Sequence, residues 1–367
     1  MNTNQIESTR EAYETLGKDF STIFITDATG NVTEEINYDY QTYLNNLFEI
    51  EKFVLQVIAS PEPAYLVKQN NFGRLVLVKR PLAKYLKMVN DFAYLYSPEY
   101  KFGVHVQLFF DCYIQLKLSD VHFYTPNGYT PYPGLLQHEL FNKFLDSIRA
   151  AAKTATFRAK LANGIAKAKQ NQVSAIKYIN LLFEKYSRYM VMRIDFSYQS
   201  QYAKDITPDQ AKRDFKLFLN NRRSNHSLFK HFRGYLWKLE WGYDKACHFH
   251  LVLFYDGAHV RKDSHWAQKI GDYWKYHITG GRGIFFNCNA SKQKYKRLGI
   301  GMVSRHDIEK RKILTADVVS YLTKGEQFFQ ATSADHGRCY GKGEISGNNQ
   351  RPQEVVIQNS DALMDME

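Results

Sequence analysis

No two of the four cysteines form a Cys-x-x-Cys pair; Cys112, Cys247, Cys288 and Cys339 are scattered through 367 residues. That spacing excludes a zinc ribbon and supplies no disulfide framework. No apolar run of about 18 residues occurs, so neither a membrane span nor a membrane partner is expected. The first residues lack the basic, apolar, small-residue progression of a signal peptide, and a cytoplasmic location is expected. No GxxxxGK[ST] run is present, so no intrinsic helicase activity is expected. Internal repeats and low-complexity tracts are absent as well.

Acidic residues are scarce where they matter. Residues 1–150 carry a charge of about −4, whereas residues 151–350 carry about +19, from 35 basic against 16 acidic residues. The total of +12 and a pI near 9.2 favour an acidic partner such as nucleic acid, met by the second half. A merely soluble basic surface is the alternative. The aromatic content of 15% offers stacking platforms for unpaired bases, although aromatic side chains more often fill a core.

Along the chain, residues 1–40 are polar, acidic and turn-rich and read as loosely packed. Residues 40–60 (Leu44, Leu47, Phe48, Ile50, Val54, Leu55, Ile58) have helical spacing, and residues 81–96 predict a second helix opened by Pro81. Residues 102–118, rich in Val, Phe, Tyr and Ile, read as strand pairs, and 126–133 as a loop. A Lys-rich helical stretch covers 135–186, with Asn163–Gly164 and Gln170–Asn171 as candidate breaks.

The pattern then turns to strands. Residues 188–198 alternate Met190, Met192, Ile194 and Phe196 against Val191, Arg193, Asp195 and Ser197. A helix is expected over 207–221, capped by Thr207 and opened by Pro208. Two strands, 234–241 and 248–255, follow, joined by a short turn. A helix over 264–279, short strands at 284–288 and 301–304, and a helix over 315–329 with a break at Gly325 complete the pattern. The expectation is an α+β protein: a mostly helical N-terminal region over 1–175, a domain with a central antiparallel sheet flanked by helices over 176–346, and a disordered tail over 347–367.

Within that second region, His248-Phe249-His250 places two imidazoles on one face of a strand. A His-x-His triplet alone is weak, but in so apolar a strand a polar pair costs desolvation unless something satisfies it. A hairpin centred near Asp244 sets Glu240 opposite His248, with Lys238 on the same face. Two imidazoles and a carboxylate suit Mg²⁺ or Mn²⁺ in phosphoryl chemistry, with zinc left open by ligand type. The alternative for Glu240 is a cross-strand partner for a lysine. Cys247 points to the opposite face and reads as packing.

Tyr321-Leu322-Thr323-Lys324 puts a phenol and an ammonium on one face of the last expected helix, where both can address one phosphate. Phenol titrates near pH ~10 and needs a neighbouring cation to act as a nucleophile. Tyr65–Lys68 and Tyr235–Lys238 repeat the spacing, but only Tyr321 follows the histidine pair on a helix in the basic half. Lys292, Lys294, Lys296 and Arg297, interleaved with Tyr295, read as a DNA-contacting loop, against a merely solvated one. The run 305–312 has the same polarity. Arg193 reads as a phosphate contact. Asp195 is either a further ligand or orienting group or a charge on a solvated strand face, and the sequence favours the latter.

Taken in order, the 189–198 strand, the Glu240/His248/His250 pair of strands and the Tyr321-x-x-Lys324 helix resemble the three motifs of the HUH endonuclease superfamily. The segments MRIDFSY, KLEWGYDKACHFHLVLF, VVSYLTKGEQ and GRCYGKG are most similar to rolling-circle replication initiators of filamentous phages (inoviruses) and their prophage relatives, over about residues 185–345. The resemblance implies that Glu240, His248 and His250 hold Mg²⁺ or Mn²⁺ and that Tyr321 attacks the scissile phosphate. The result is a 5′-phosphotyrosine and a free 3′-hydroxyl, with Lys324 steadying the phosphate. It implies single-stranded or supercoiled origin DNA as substrate, host helicase and polymerase as partners, and a bacterial cytoplasm. With Phe328 and Phe329 continuing the helix, a one-tyrosine type is expected, so strand transfer calls on a second protomer or another tyrosine such as Tyr340. Two rivals remain: an HUH-derived protein that binds DNA without cutting, and a relaxase or transposase. Residues 1–170 carry no recognised motif; a structural or toxin-like role is a third alternative there, and origin recognition, helicase binding and dimerisation are all open to them.

Overall fold

The computed structural model describes residues 22–26, 32–98, 100–203, 205–222, 224–242, 246–319, 322, 329–331 and 338–345. A hairpin of β1 (Thr22–Thr26) and β2 (Val32–Ile36) leads into α1 (Tyr38–Ala59), whose Leu44, Leu47, Ile50 and Val54 are buried as the spacing predicts. The antiparallel hairpin β3 (Tyr65–Gln69) and β4 (Leu75–Lys79) comes next. The expected 81–96 helix divides into two short pieces, Pro81–Tyr85 and Met88–Ala93. The core of this half centres on Phe53, whose ring lies 4.8 Å from Tyr85, 6.0 Å from Phe109 and 6.3 Å from Phe144.

Two expectations fail here. Only Tyr100–Phe102 (β5) of the 102–118 region and its approach is strand; Val104–Gln115 is a helix, α2. Val104, Val106, Leu108, Phe110, Cys112 and Ile114 alternate as in a strand, while Gln107, Asp111 and Gln115 recur at the helical interval of four, so both periods fit. Packing against α1 and against α3 (Gln137–Ala152) selects the helix, which buries Val106, Phe109, Phe110 and Cys112. The long helical stretch breaks at Lys153–Thr154, not at 163–164 or 170–171. Thr154 Oγ1 accepts from the Phe157 N–H at 3.2 Å and caps α4, which runs unbroken over Ala155–Lys185. Gly164 faces open space in the middle of that 31-residue helix, which absorbs the cost of about 1 kcal/mol of one glycine. α4 joins two cores: Phe157 belongs to the first, and Ala175, Tyr178, Ile179, Leu182 and Phe183 to the second.

That second core is built on a six-stranded antiparallel sheet in the order β10-β6-β8-β7-β12, with β9 also paired to β6. β6 (Arg188–Tyr198) is an inner strand with partners on both sides. One edge pairs with β8 (Ala246–Asp256); the other takes β10 (Gly301–Ser304) along its first half and β9 (Gly283–Asn287) along its second. β7 (Phe232–Gly242) joins β8 to β12 (Tyr340–Lys342). The alternation in β6 holds, with both faces buried. Met190, Met192, Ile194 and Phe196 pack with Phe215 and Phe218 of α5 (Pro208–Asn221) and with Trp274. As expected, Thr207 caps α5 and Pro208 opens it. Val191 faces the other way, with Leu236, Val252 and Phe254, under the C-terminal half of α4.

A further helix, α6 (Asp263–Asp272), lies against β6 and β9 on the Met190 side. It approaches so closely that a Cβ added at Gly271 would sit 2.1 Å from the Phe285 ring. Gly271→Ala is therefore expected to lower stability by about 1–3 kcal/mol through overpacking, read as a drop in Tm. After α7 (Ile308–Ile313), the helical path continues through a wide turn, Leu314–Val319. Phe329 is not helical as expected: Phe329–Ala331 forms β11, whose backbone pairs with β5. Arg305 and Arg311, in the run expected to meet DNA, instead bind α4. Arg305 Nε donates to the Phe183 carbonyl at 2.6 Å, and Arg311 donates to Asn180 Oδ1 at 2.9 Å. The 347–367 tail lies outside the described residues. Among the described residues no helix is long and apolar enough to cross a membrane.

Candidate metal centre

β7 and β8 pair in the expected register, with Glu240 opposite His248 and Lys238 opposite His250. On the other side of β8, Asp195 of β6 stands opposite His250. One row of the sheet thus reads Asp195, His250, Lys238, Tyr340, and the row beside it carries His248 and Glu240. All five polar members, Asp195, Lys238, Glu240, His248 and His250, are buried, with at most 5% of any of them exposed. Buried polar groups at this density need partners, and here ion pairs supply much of the pairing.

Glu240 Oε2 lies 3.2 Å from His248 Nε2 and 3.1 Å from His250 Nε2. One donor atom from each of the three residues falls within 4.8 Å of the others, and the imidazole planes stand at 88°. Adjacent ligands around an octahedral ion with bonds of about 2.1 Å are separated by about 3.0 Å, so the donor set fits a divalent cation. His250 Nδ1 is 2.9 Å from Asp195 Oδ1. With the Nδ1 hydrogen donated to Asp195, the Nε2 lone pair is aimed at Glu240, the arrangement by which a carboxylate orients a metal-binding imidazole.

Asp195 therefore does not sit on a solvated face. The β6–β8 pairing buries it, and Arg193 Nη2 meets its other oxygen at 3.3 Å. Burial alone would raise the Asp195 pKa, but the Arg193 guanidinium and the His250 imidazole outweigh it and hold the carboxyl well below its ordinary range. Glu240 behaves likewise: burial opposes ionisation, and Lys238 and His250 overcome it. Lys238 Nζ forms an ion pair with Glu240 Oε1. For His250, burial disfavours the charged ring, while Asp195 and Glu240 raise its pKa overall. Asp195→Asn is expected to weaken divalent-metal affinity about 10- to 100-fold while leaving the three donors in place, measurable by calorimetric titration with Mn²⁺.

Around this centre the sequence expectations divide. Cys247 is packing, as read: it faces the α5 side, and burial pushes its thiol up to about 12. Tyr235 is buried on that same side, away from Lys238. Of the cations in the 292–297 loop, Lys294, Lys296 and Arg297 are exposed. Lys292 is tied to Asp263 by an ion pair, and Lys294 lies 5.0 Å over the Phe286 ring. Tyr295 turns inward: burial raises its pKa, and its hydroxyl hydrogen-bonds with Cys288. Cys288 Sγ in turn donates to Asp195 Oδ2 at 3.8 Å. Arg193 is mostly engaged by Asp195, and its backbone N–H donates to Asn289 Oδ1 at 2.8 Å. Cys288 and Asn289 carry no sequence signal of a role here, because the β6–β9 pairing that brings them in spans about ninety residues.

Tyr321 and Lys324 lie outside the described residues. Their neighbour Leu322 is buried at 1% exposure in the same apolar cluster as Leu236, Val252 and Tyr340, which line the face bearing the Glu-His-His group.

The fold and site define an α+β domain with a buried two-histidine, one-carboxylate group at the centre of an antiparallel sheet. The sequence model of the YagK/YfjJ C-terminal domain matches residues 151–343, and the chain belongs to that family, a family of prophage-like proteins. The match takes in all of α4 and every strand of the six-stranded sheet. No curated protein and no solved structure matches the chain.

Proposed function

We propose that this protein is a metal-dependent, single-tyrosine DNA endonuclease of the HUH type that nicks and rejoins one strand to initiate rolling-circle replication. The observation that carries the reading is the buried convergence of Glu240, His248 and His250, with His250 oriented by Asp195. Structural cores rarely gather four ionisable side chains on one buried sheet face without a use for them.

In this reading Glu240, His248 and His250 hold Mg²⁺ or Mn²⁺, which supplies Lewis-acid polarisation of a phosphodiester. The Tyr321 phenol loses its proton to solvent and its oxygen bonds to phosphorus. The bond from phosphorus to the 3′-oxygen breaks, and that oxygen takes up a proton to leave as a 3′-hydroxyl. Lys324 steadies the negative charge on the phosphate. Attack by a 3′-hydroxyl on the phosphotyrosine reverses these bond changes and rejoins the strand. Lys296 and Arg297, exposed on their loop, supply phosphate contacts. A family of prophage-like proteins is a natural setting for such a reaction.

The test is incubation of the full chain with labelled single-stranded DNA and with supercoiled plasmid, in Mn²⁺ and in Mg²⁺. A covalent protein–DNA adduct and nicked circles are expected, both abolished by chelation. A second reading has its own support: Lys238 and Arg193 already balance the two carboxylates, as in a purely structural polar cluster. A DNA-binding protein without cleavage would bind the same DNA and give no adduct with either metal.

A further inference from the structure

We propose that the β3–β4 hairpin is a second nucleic-acid site, a wing that inserts into a groove of double-stranded DNA. It belongs to the N-terminal half, and neither its logic nor its test depends on the metal centre.

The hairpin is built to be rigid and to stay in water. Asn70 Oδ1 accepts from the backbone N–H of Phe72 at 3.0 Å and of Arg74 at 2.9 Å, and the Asn70 N–H donates to the Arg74 carbonyl at 2.9 Å. Gly73 closes the turn with a φ of 75°, a conformation that favours glycine. This turn holds Phe72 at the tip, 88% exposed, above Leu75 at 75% and Val67 at 52%. Apolar side chains on an ordered, exposed ribbon signify a binding surface.

Charge identifies the partner. Residues 63–90 contain six Lys or Arg and no Asp or Glu, inside a half of the chain that is otherwise acidic. On the hairpin itself Lys68, Arg74 and Lys79 are exposed. Lys68 pairs with Val76 and Lys79 with Tyr65, so the two lysines project from opposite faces of the ribbon. Cations on both faces suit phosphates on both walls of a groove, and a two-stranded ribbon fits the major groove. At the tip, Asn71 sets an exposed amide beside the Phe72 ring, while the amides of Gln69 and Asn70 hold the turn, Gln69 Nε2 donating to the Gly73 carbonyl at 2.9 Å. An amide reads a base edge and an aromatic ring stacks on or wedges between bases, and the cations on both faces of the ribbon suit phosphates better than a lipid interior.

The experiment is fluorescence anisotropy of a labelled short duplex with the full chain, in chelator, across a salt series. Two variants are compared with the wild type: Phe72→Ala, and the triple Lys68→Ala/Arg74→Ala/Lys79→Ala. For the triple variant, the slope of log affinity against log salt is expected to become shallower by about 2–3, since each lost phosphate contact removes about 0.9. For Phe72→Ala, affinity is expected to fall about 5- to 10-fold at fixed salt with the slope unchanged. All four side chains are exposed, and unchanged melting curves establish that both variants fold. Wild-type slope and affinity in both variants would overturn the proposal, as would absence of duplex binding by the wild type. So would a loss confined to anionic vesicles or to self-association. Because chelator is present throughout, failure of the nickase reading leaves this result unaffected.

Discussion

Tyr321→Phe protein is expected to bind single-stranded DNA as the wild type does and to form no covalent adduct, with nicking reduced at least about 10³-fold. The substitution removes one oxygen and keeps the ring, and it leaves Leu314, Val319 and Leu322 in their apolar cluster against the sheet. A phenol is a weak nucleophile at neutral pH, with an ordinary pKa near ~10, and a phenyl ring has no oxygen with which to form the bond. Plasmid relaxation and denaturing-gel adduct assays read the loss directly. A variant that still nicks at a substantial rate would move the nucleophile elsewhere, with Tyr340, beside Lys238 in the sheet, the first residue to examine.

Glu240→Ala carries the largest expected effect on stability. Glu240 holds the Lys238 ammonium by an ion pair, and Lys238 is 1% exposed. Removing the acid leaves a buried cation without its charge partner, which typically costs about 3–5 kcal/mol. Glu240 is also one of the three candidate metal donors, so any rise in Tm that Mn²⁺ gives the wild type is expected to vanish. A double variant, Lys238→Met with Glu240→Leu, separates the two consequences: most of the stability returns and the metal response does not. Thermal denaturation with and without Mn²⁺ measures both. A Mn²⁺-dependent rise in Tm that persists in Glu240→Ala would remove Glu240 from the donor set.

How much of this site was legible in the sequence depended on the separation of the partners. The β7–β8 pairing is local, with only three residues between two alternating strands, so the Glu240–His248 pair was readable to the residue. Asp195 was misread because its burial comes from pairing with β8, more than fifty residues away; a lone acid on an alternating strand looks solvated until that neighbour is known. Tyr295 shows the same limit. A tyrosine among four cations resembles a stacking platform, yet it turns toward Cys288 because the β6–β9 pairing offers it a buried partner. In the fold, α2 was read as strands since its apolar residues satisfy both periods, and only α1 and α3 distinguish them. The helix break fell at a side-chain cap, Thr154, whereas exposed Gly164 broke nothing, because a cap satisfies backbone donors and a lone glycine only weakens a helix.

Peptide mass spectrometry of the protein after reaction with single-stranded DNA and Mn²⁺, followed by nuclease digestion, tests the central claim most directly. The predicted result is one modified peptide carrying a 5′-phosphonucleotide on Tyr321, absent when the metal is chelated and absent from His250→Ala protein. A phosphonucleotide on another residue, or an adduct that forms equally well without a divalent metal, would contradict the account.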